Sequence, residues 1–206
     1  MKLTAEGFQR LTHVSRETMA RLQAYVDLLS AWNGRINLVG RNTIGDVWHR
    51  HILDSAQLLA MIPAHARILV DLGAGAGLPG LVLSILGVPE VHLVESDRRK
   101  GVFLGEAIRV TRAPAKAHIG RIEEIRPFTA DLVCARALAP LPELLALAAP
   151  FIGQDTVCLF HKGKEAAAEL TAAGKDWNMV TEPLPSVTDK SAAILKLEGV
   201  SRAHHA

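Results

Sequence analysis

Three glycines directly after a short apolar run give the strongest chemical signal in the chain. They alternate with alanines, at Gly73, Gly75 and Gly77. Glycines between a strand and a helix let the backbone turn tightly and let a ligand approach the main chain. Glu95 ends the next apolar run, residues 91–95, where a carboxylate can accept hydrogen bonds from both ribose hydroxyls of a nucleoside. These two features predict a nucleoside-containing ligand at the carboxyl ends of the first two strands.

The spacing of the glycines leaves three interpretations open and favours one. Counted from Gly75, the dinucleotide pattern GxGxxG ends on Gly80 and matches; counted from Gly73 it fails at Leu78. GxGxG from Gly73 is the spacing common in S-adenosylmethionine-dependent methyltransferases, whose ligand has no pyrophosphate. Asp71 would repel phosphate, but it could hold the methionine end of that ligand through water or its amine. The third interpretation is a turn that only packs a strand against a helix. The pattern favours S-adenosylmethionine.

Residues after the third and fourth predicted strands complete this pocket. Ile122 could pack on an adenine ring and Glu123 could bind its edge, although a solvated helix start would also explain Glu123. Arg136 ends the fourth run, placed to hold an anion or the edge of a base, or else to pair with a nearby aspartate. Cys134 is explained better as a small buried residue than as a nucleophile, because it lacks a neighbouring proline.

No general base accompanies Arg136, which restricts the acceptor chemistry. N7 of guanine has an in-plane lone pair and needs no deprotonation before it attacks a sulfonium methyl. Catalysis could then depend on alignment, which supplies on the order of 7–11 kcal/mol in favourable cases. Arginine is well shaped to contact a guanine edge. Because N7 must stay free, we expect Arg136 to contact O6 or a phosphate.

Basic residues are concentrated in one part of the chain. Residues 98–121 contain seven, Arg98, Arg99, Lys100, Arg109, Arg112, Lys116 and Arg121, against the single acid Glu106. The first third of the chain and the fifth predicted strand add Arg35, Arg41, His49, Arg50, His51, Lys162 and Lys164. Clustered cations suit RNA better than a small metabolite, although solvated arginines scattered over helices are the alternative. The spacing of His51 and Asp54 could suit a pair of metal ligands, but the sequence shows no third ligand, so we expect no metal.

The composition sets the class of protein. The 206 residues are 49% hydrophobic and 21% charged, with a formal net charge of +2, which indicates one well-packed domain with an extension and excludes disorder. The uncharged run 72–89 is interrupted by glycines and prolines and is too short to span a membrane. The amino terminus has no long apolar segment of a signal peptide, and the two cysteines form no CxxC pair. We therefore expect a soluble, cytoplasmic protein without disulfides.

The elements that must position these residues divide near residue 65. Apolar spacing predicts a helix from Ser15 to Trp32 and a second helical region over 43–62. Apolar runs at 68–72, 91–95, 115–119, 132–135 and 156–161 then alternate with helical stretches at 80–86, 98–112, 142–151 and 164–173. Strand-like runs at 179–184 and 192–197 close the chain as an antiparallel hairpin. The prediction is an α/β fold with a doubly wound, mostly parallel sheet (residues 65–206) behind an N-terminal helical extension (residues 1–64).

Six segments together resemble a known family. They are WNGRINL at 32–38, RHILDS at 50–55, DLGAGAGLPG at 71–80, FL at 103–104, GRIE at 120–123 and ARA at 135–137. In this order they resemble the ribosomal RNA small-subunit methyltransferase G family, also called glucose-inhibited division protein B. The resemblance covers about residues 32–163. It implies a bacterial enzyme with a Rossmann-like fold that transfers a methyl group from S-adenosylmethionine to N7 of guanine 527, in the 530 loop of 16S ribosomal RNA. The transfer would be direct, with no covalent enzyme intermediate, and would leave S-adenosylhomocysteine.

The resemblance also assigns residues to roles. It places Gly73, Leu78, Ile122, Glu123 and Arg136 in the cofactor site, with Glu95 at the ribose, and the glycine pattern adds Asp71, Gly75 and Gly77. It places Arg121, Arg136, His51, Asp54 and Lys162 in or near the acceptor site, without dividing them between catalysis and RNA docking. We assign catalysis to Arg121 and Arg136, and RNA contact to His51, Asp54 and Lys162 together with Arg98, Arg99 and Lys100 of the basic stretch. Residues 96–101 contain arginine and glycine where relatives often keep more lysine, which affects only the details of RNA contact. We expect a monomer that binds 16S RNA or the small ribosomal particle, with no DNA, membrane or metal. Two alternatives are a small-molecule methyltransferase of the same fold and a non-catalytic RNA-binding assembly factor.

Overall fold

A computed structural model of the chain describes residues 2–203. The α-helices are α1 (Ala5–Thr12), α2 (Arg16–Asn33), α3 (Asp54–Ala56), α4 (Gly80–Ile85), α5 (Arg98–Thr111), α6 (Leu141–Ala148) and α7 (Ala166–Ala173). The strands are β1 (Ile68–Leu72), β2 (Glu90–Glu95), β3 (Ala115–Ile119), β4 (Ala130–Arg136), β5 (Ile152–Lys162), β6 (Trp177–Pro185) and β7 (Ala193–Arg202). Residue 1 and residues 204–206, the outer ends of the two predicted units, lie outside this description.

The strands form one mixed sheet in the order β3-β2-β1-β4-β5-β7-β6. The first five are parallel, while β7 runs antiparallel to both β5 and β6. The predicted fold class is therefore confirmed, including the C-terminal hairpin. The chain winds outward from β1 in both directions, so the strand order reverses between β1 and β4. In open α/β sheets, ligands bind at the carboxyl ends of the strands beside such a reversal.

The two faces of the sheet have separate hydrophobic cores, as expected when alternate residues of a strand point to opposite sides. Leu69 of β1 packs with Phe8, Tyr25 and other side chains of the N-terminal helices, together with α4 and α5. Val70 packs on the opposite face with Phe151 and the residues of α6. The extension thus supplies one layer of the core that covers β1. The division into residues 1–64 and 65–206 stays a prediction.

The extension follows the sequence closely at α2 and departs from it afterwards. Ser15 caps α2 by accepting a hydrogen bond from the Thr18 amide, as its type and position predict. The helical region predicted over 43–62 is confirmed, but it is not one regular helix. The structure has two 3₁₀ segments, Ile44–Asp46 and Gln57–Met61, on either side of a π-helical segment, Trp48–Leu53, and the short α3. Residues on several sides of this stretch are buried. Short π-helical segments are rare and often occur at functional sites.

The helices of the structure show no candidate for a membrane span. Between residues 2 and 203, none is long and apolar enough to cross a bilayer.

Candidate functional site

The glycine loop, residues 73–80, joins β1 to α4 in a conformation that depends on its glycines. Gly73, Gly75 and Gly77 have φ values of 68°, 56° and 86°, a region that side-chain-bearing residues rarely adopt. A Cβ on Gly73 would also lie 2.6 Å from Leu138, which follows β4. The backbone of this loop is therefore open to a ligand, and Leu138 forms the facing wall.

Asp71 lies under the glycine loop and not in a cavity. Its side chain is fully buried, and one carboxylate oxygen accepts a hydrogen bond of 2.8 Å from the Gly80 amide at the start of α4. Burial raises the pKa of Asp71 to about 7, although the Gly80 hydrogen bond acts in the opposite direction. In this position Asp71 fixes the loop. Its predicted contact with the methionine end of the ligand stays a prediction.

Glu95 is placed where the sequence predicted a ribose-binding carboxylate. Its side chain is buried at the end of β2, and its two oxygens accept hydrogen bonds from the amides of Gly75 (2.8 Å) and Asp97 (2.7 Å). A carboxylate has about four acceptor positions, so two remain for ligand hydroxyls. Glu95 thus holds the glycine loop and keeps acceptor capacity for a nucleoside.

A cofactor cavity of about 390 Å³ lies over the carboxyl ends of β1, β2 and β4. Its lining includes Gly73, Gly75, Glu95, Ile122, Glu123 and Leu138. Apart from Asp71, Gly77, Leu78 and Arg136, the predicted cofactor residues line this cavity. Arg121 lines it too, but it is largely exposed and lies 3.6 Å from Glu123. Arg121 therefore lies at the cofactor end of the site, apart from the cluster around Arg136.

Arg136 is the centre of a network that links the sheet to the extension. One guanidinium nitrogen, Nη1, lies 3.0 Å from a carboxylate oxygen of Asp54. The other, Nη2, lies 3.0 Å from Nδ1 of His51 and donates to the Arg50 carbonyl at 3.4 Å. The carboxylate, the imidazole and the carbonyl together orient the guanidinium.

His51 is neutral in this network, and its tautomer follows from its partners. Burial, with the neighbouring Arg136 charge, lowers the pKa of His51 to about 4. Because arginine only donates, Nδ1 of His51 must accept, and Nε2 must carry the proton. Nε2 then donates to Thr43 Oγ1 at 2.8 Å, and the Thr43 hydroxyl donates to the Gly40 carbonyl at 2.7 Å. Arg136 is thereby connected to the loop that precedes residue 44.

An acceptor cavity of about 250 Å³ lies between that loop and the glycine loop. Its lining includes Gly40, His51, Leu78, Lys100 and Arg136. It shares Gly73, Gly75, Lys100 and Ala137 with the cofactor cavity, so the two are continuous. Ala137 itself has a φ of 52°, which is unusual for a residue other than glycine and often marks a functional site. The two cavities thus meet at Gly73, with room for a ligand on either side of it.

Asp54 is buried and connects four parts of the chain by polar contacts. Besides Arg136, its carboxylate accepts hydrogen bonds from Gln57 and from Thr188, in the loop between β6 and β7. Its backbone carbonyl accepts from His161 of β5. The sequence pointed to Asp54, but it gave no sign of Thr188 or His161, because neither lies in a recognisable pattern.

Lys162 is largely buried and already has polar partners within the protein. Its ammonium lies 2.7 Å from a Glu169 oxygen and donates to the Ala139 carbonyl at 2.6 Å. The side chain is 6% exposed, so it has little surface to offer a phosphate. Glu169 also accepts from the Leu141 amide at 2.7 Å. In this structure the pair fixes the loop after β4. The predicted contact of Lys162 with RNA stays a prediction.

Cations line or adjoin both cavities in sequence. Asp97 caps α5 and pairs with Arg99 at 3.4 Å. Arg98 and Lys100 have no ion-pair partner within residues 2–203, and Lys100 lines both cavities. Arg41, on the loop beside the acceptor cavity, is likewise unpaired in the described part of the chain. A rim of free cations favours a polyanion such as RNA.

The other candidate groups are unsuited to a chemical role. Cys134 is fully buried beneath the loop, where burial and the nearby Asp71 raise its pKa well above the usual value. A thiol in that state is a poor nucleophile. In residues 2–203 no group of three or more histidine, cysteine or acidic side chains could hold a metal ion.

Comparison with solved structures supports the fold. The chain matches M. jannaschii TYW2 in complex with AdoMet with a TM-score of 0.58 and 13% identity, over 76% of this chain and 78% of that one. It matches a TehB-like SAM-dependent methyltransferase from Corynebacterium glutamicum with a TM-score of 0.56 and 17% identity, over 88% and 97% of the two chains. At these identities the similarity concerns the fold.

Comparison of sequences identifies the family. The model of rRNA small subunit methyltransferase G matches residues 18–197. A ribosomal RNA small subunit methyltransferase G from Rhodospirillum centenum is 56% identical over 197 residues, covering 96% of this chain and 91% of the relative. One from Rhodospirillum rubrum is 50% identical over 201 residues, covering 98% and 100%. The resemblance predicted from six short segments is confirmed over nearly the whole chain, and the protein belongs to the rRNA small subunit methyltransferase G family.

Proposed function

We propose that this protein transfers a methyl group from S-adenosylmethionine to N7 of a guanine in the 530 loop of 16S ribosomal RNA. The continuity of the two cavities at Gly73 supports this proposal most directly, because it brings a nucleoside cofactor beside a second substrate. S-adenosylmethionine supplies an electrophilic methyl group when bound. Glu95 would hold its ribose, Ile122 would pack on its adenine, and the glycine loop would carry its methionine portion.

The state of the side chains around Arg136 favours an acceptor that needs no activation. Both His51 nitrogens already form hydrogen bonds, and Asp54 is paired with Arg136. Cys134 is buried and protonated. N7 of guanine presents a lone pair at neutral pH, whereas an exocyclic amine must lose a proton. Direct displacement, with Arg136 orienting the base through O6 or a phosphate, fits these groups without a covalent intermediate.

The free cations at the rim support RNA as the substrate. Arg41, Arg98 and Lys100 could neutralise phosphates, while the buried His51 and Asp54 would act by positioning Arg136. We propose that the substrate is 16S RNA or the small ribosomal particle, that the protein acts in the cytoplasm as a monomer, and that residues 1–64 help to dock the RNA. Neither DNA nor a metal is part of this proposal.

The base and atom can be tested together. Small ribosomal subunits from cells lacking the protein are incubated with it and with methyl-labelled S-adenosylmethionine. Nucleoside mass spectrometry should then find 7-methylguanosine, and borohydride–aniline cleavage should place it in the 530 loop. Label on another atom or in another loop would refute the proposal. The control is the Glu95→Gln variant, in which transfer should fall sharply because the ribose contact is weakened.

A further inference from the structure

Tyr25, the only tyrosine of the chain, lies in α2 and contributes to neither cavity. Its side chain is fully buried, yet its hydroxyl donates a hydrogen bond of 2.7 Å to the carbonyl of Ala76. Ala76 stands in the middle of the glycine loop and is itself buried. A helix of the N-terminal extension therefore holds the loop that lines the site.

The geometry of the loop explains why this contact matters. Ala76 stands between Gly75 and Gly77, both at positive φ. Glycines lose more conformational freedom on ordering than other residues, so a loop built on them must be held by outside contacts. Glu95 holds the Gly75 amide on one side, and Tyr25 holds the Ala76 carbonyl on the other. Each contact fixes the peptide plane next to one of these glycines.

The Tyr25 hydroxyl is the donor that satisfies the buried Ala76 carbonyl. Burial raises the pKa of Tyr25, so the hydroxyl keeps its proton and remains a donor. Without it, the buried Ala76 carbonyl would lack a partner, and the loop would have to shift to find one. The ring packs beside Phe103 with centroids 6.3 Å apart, and a phenylalanine would preserve that packing.

We propose that Tyr25 is a positioning residue for the methyl donor: its hydroxyl holds the glycine loop ready for S-adenosylmethionine without touching the ligand. A loop held in its binding conformation binds more tightly, because less freedom is lost on binding. The inference concerns the cofactor alone. It can therefore fail while the N7 assignment stands, and the reverse is also true.

Tyr25→Phe separates positioning from packing. Isothermal titration with S-adenosylhomocysteine should show the Kd rising roughly five- to tenfold, which corresponds to about 1 to 1.4 kcal/mol. The KM for S-adenosylmethionine should rise in parallel, while kcat at saturating cofactor stays within about twofold. A role in folding alone would not produce this division between KM and kcat.

Thr156→Val is the matched control. The Thr156 hydroxyl is also buried and donates 2.6 Å to a carbonyl, that of Ala130, but at the opposite end of the sheet. Thr156→Val should lower the thermal stability of the protein and leave the Kd for S-adenosylhomocysteine unchanged. An unchanged Kd in Tyr25→Phe, or an equal rise in Thr156→Val, would overturn the proposal.

A second measurement covers the case in which Tyr25→Phe does not fold. In wild-type protein labelled with ¹³C at the tyrosine ζ carbon, the only tyrosine gives one resonance. Saturation with S-adenosylhomocysteine should shift it, because the ligand fills the cavity lined by Gly73 and Gly75 of the same loop and thereby changes the surroundings of the Ala76 carbonyl. A resonance that does not move at saturation would refute the coupling.

Discussion

Replacing Arg136 with lysine tests whether the shape of the guanidinium matters, since the charge is kept. The two terminal nitrogens of Arg136 contact Asp54 and His51, each at 3.0 Å. A single ammonium cannot occupy both positions, so at least one hydrogen bond to a charged donor is lost, at about 1.5–3 kcal/mol. If that loss appears in the transition state, methyl transfer slows roughly 10- to 100-fold.

Alanine at this position would give a less informative result. The side chain of Asp54 is 12% exposed, and Arg136→Ala would leave its carboxylate without a cation. Removing one partner of a buried pair costs about 3–5 kcal/mol. Lost activity in Arg136→Ala could then come from unfolding. Arg136→Lys keeps the ion pair with Asp54 and removes only the two-pronged contact of the guanidinium with Asp54 and His51.

The assay is single-turnover transfer of labelled methyl to small-subunit RNA, with the cofactor in excess. Thermal unfolding and S-adenosylhomocysteine titration show whether the variant is folded and binds its cofactor. Arg10→Lys, on the exposed side of α1, is the control for the exchange of arginine for lysine. If Arg136→Lys transfers methyl within about twofold of the wild-type rate, the two-pronged contact of the guanidinium has no role in transfer. The proposal that its shape orients the substrate is then refuted.

Three further predictions concern pH, packing and RNA contact. Burial lowers the pKa of His51 from its usual 6.5 to about 4 in the folded protein. The unfolded chain therefore binds the proton first as the pH falls below 6.5, and the free energy of unfolding drops by up to about 1.4 kcal/mol per pH unit toward pH 4. Urea midpoints between about pH 7.5 and 5 should therefore fall more steeply in wild type than in His51→Gln, and parallel curves would contradict this. Gly80→Ala would place a Cβ 2.7 Å from side-chain carbons of Asp71 and Leu93. It should lower the free energy of unfolding by about 1–3 kcal/mol and abolish cofactor binding. Gly105→Ala, with open space around it in α5, should instead raise the free energy of unfolding by about 0.5–1 kcal/mol in chemical denaturation. Lys100→Gln should reduce the slope of log K for RNA binding against log salt concentration by about one unit. Lys162→Met should destabilise the fold and leave that slope unchanged. Equal slopes in both variants would show that Lys100 does not contact a phosphate.

The sequence predicts the fold well because the signals that define it are local. Apolar runs gave seven strands in their correct places, Ser15 marked the start of α2, and the glycines marked the loop after β1. The position of Glu95 at the end of β2 follows from the same alternation.

What the sequence could not supply is the set of contacts between separate elements. Asp54 meets Thr188 across 134 residues, and Lys162 at the end of β5 pairs with Glu169 of the following helix, α7. No spacing rule predicts either pair, so the sequence gave no sign that Lys162 is buried. The π-helical stretch at 48–53 was missed because its apolar spacing does not differ from that of an α-helix.

The contacts of the loop between β6 and β7 have a consequence for biosynthesis. Thr188 bonds to Asp54, the Val187 amide donates to Gln57, and Asp189 lies 3.3 Å from Arg50. These contacts close the surroundings of Arg136, yet they come from a segment that is translated long after α2 and the glycine loop. Domains form as the chain leaves the ribosome, amino end first. A nascent chain can thus form its cofactor loop early, but its acceptor side is completed only when residues 186–192 have emerged.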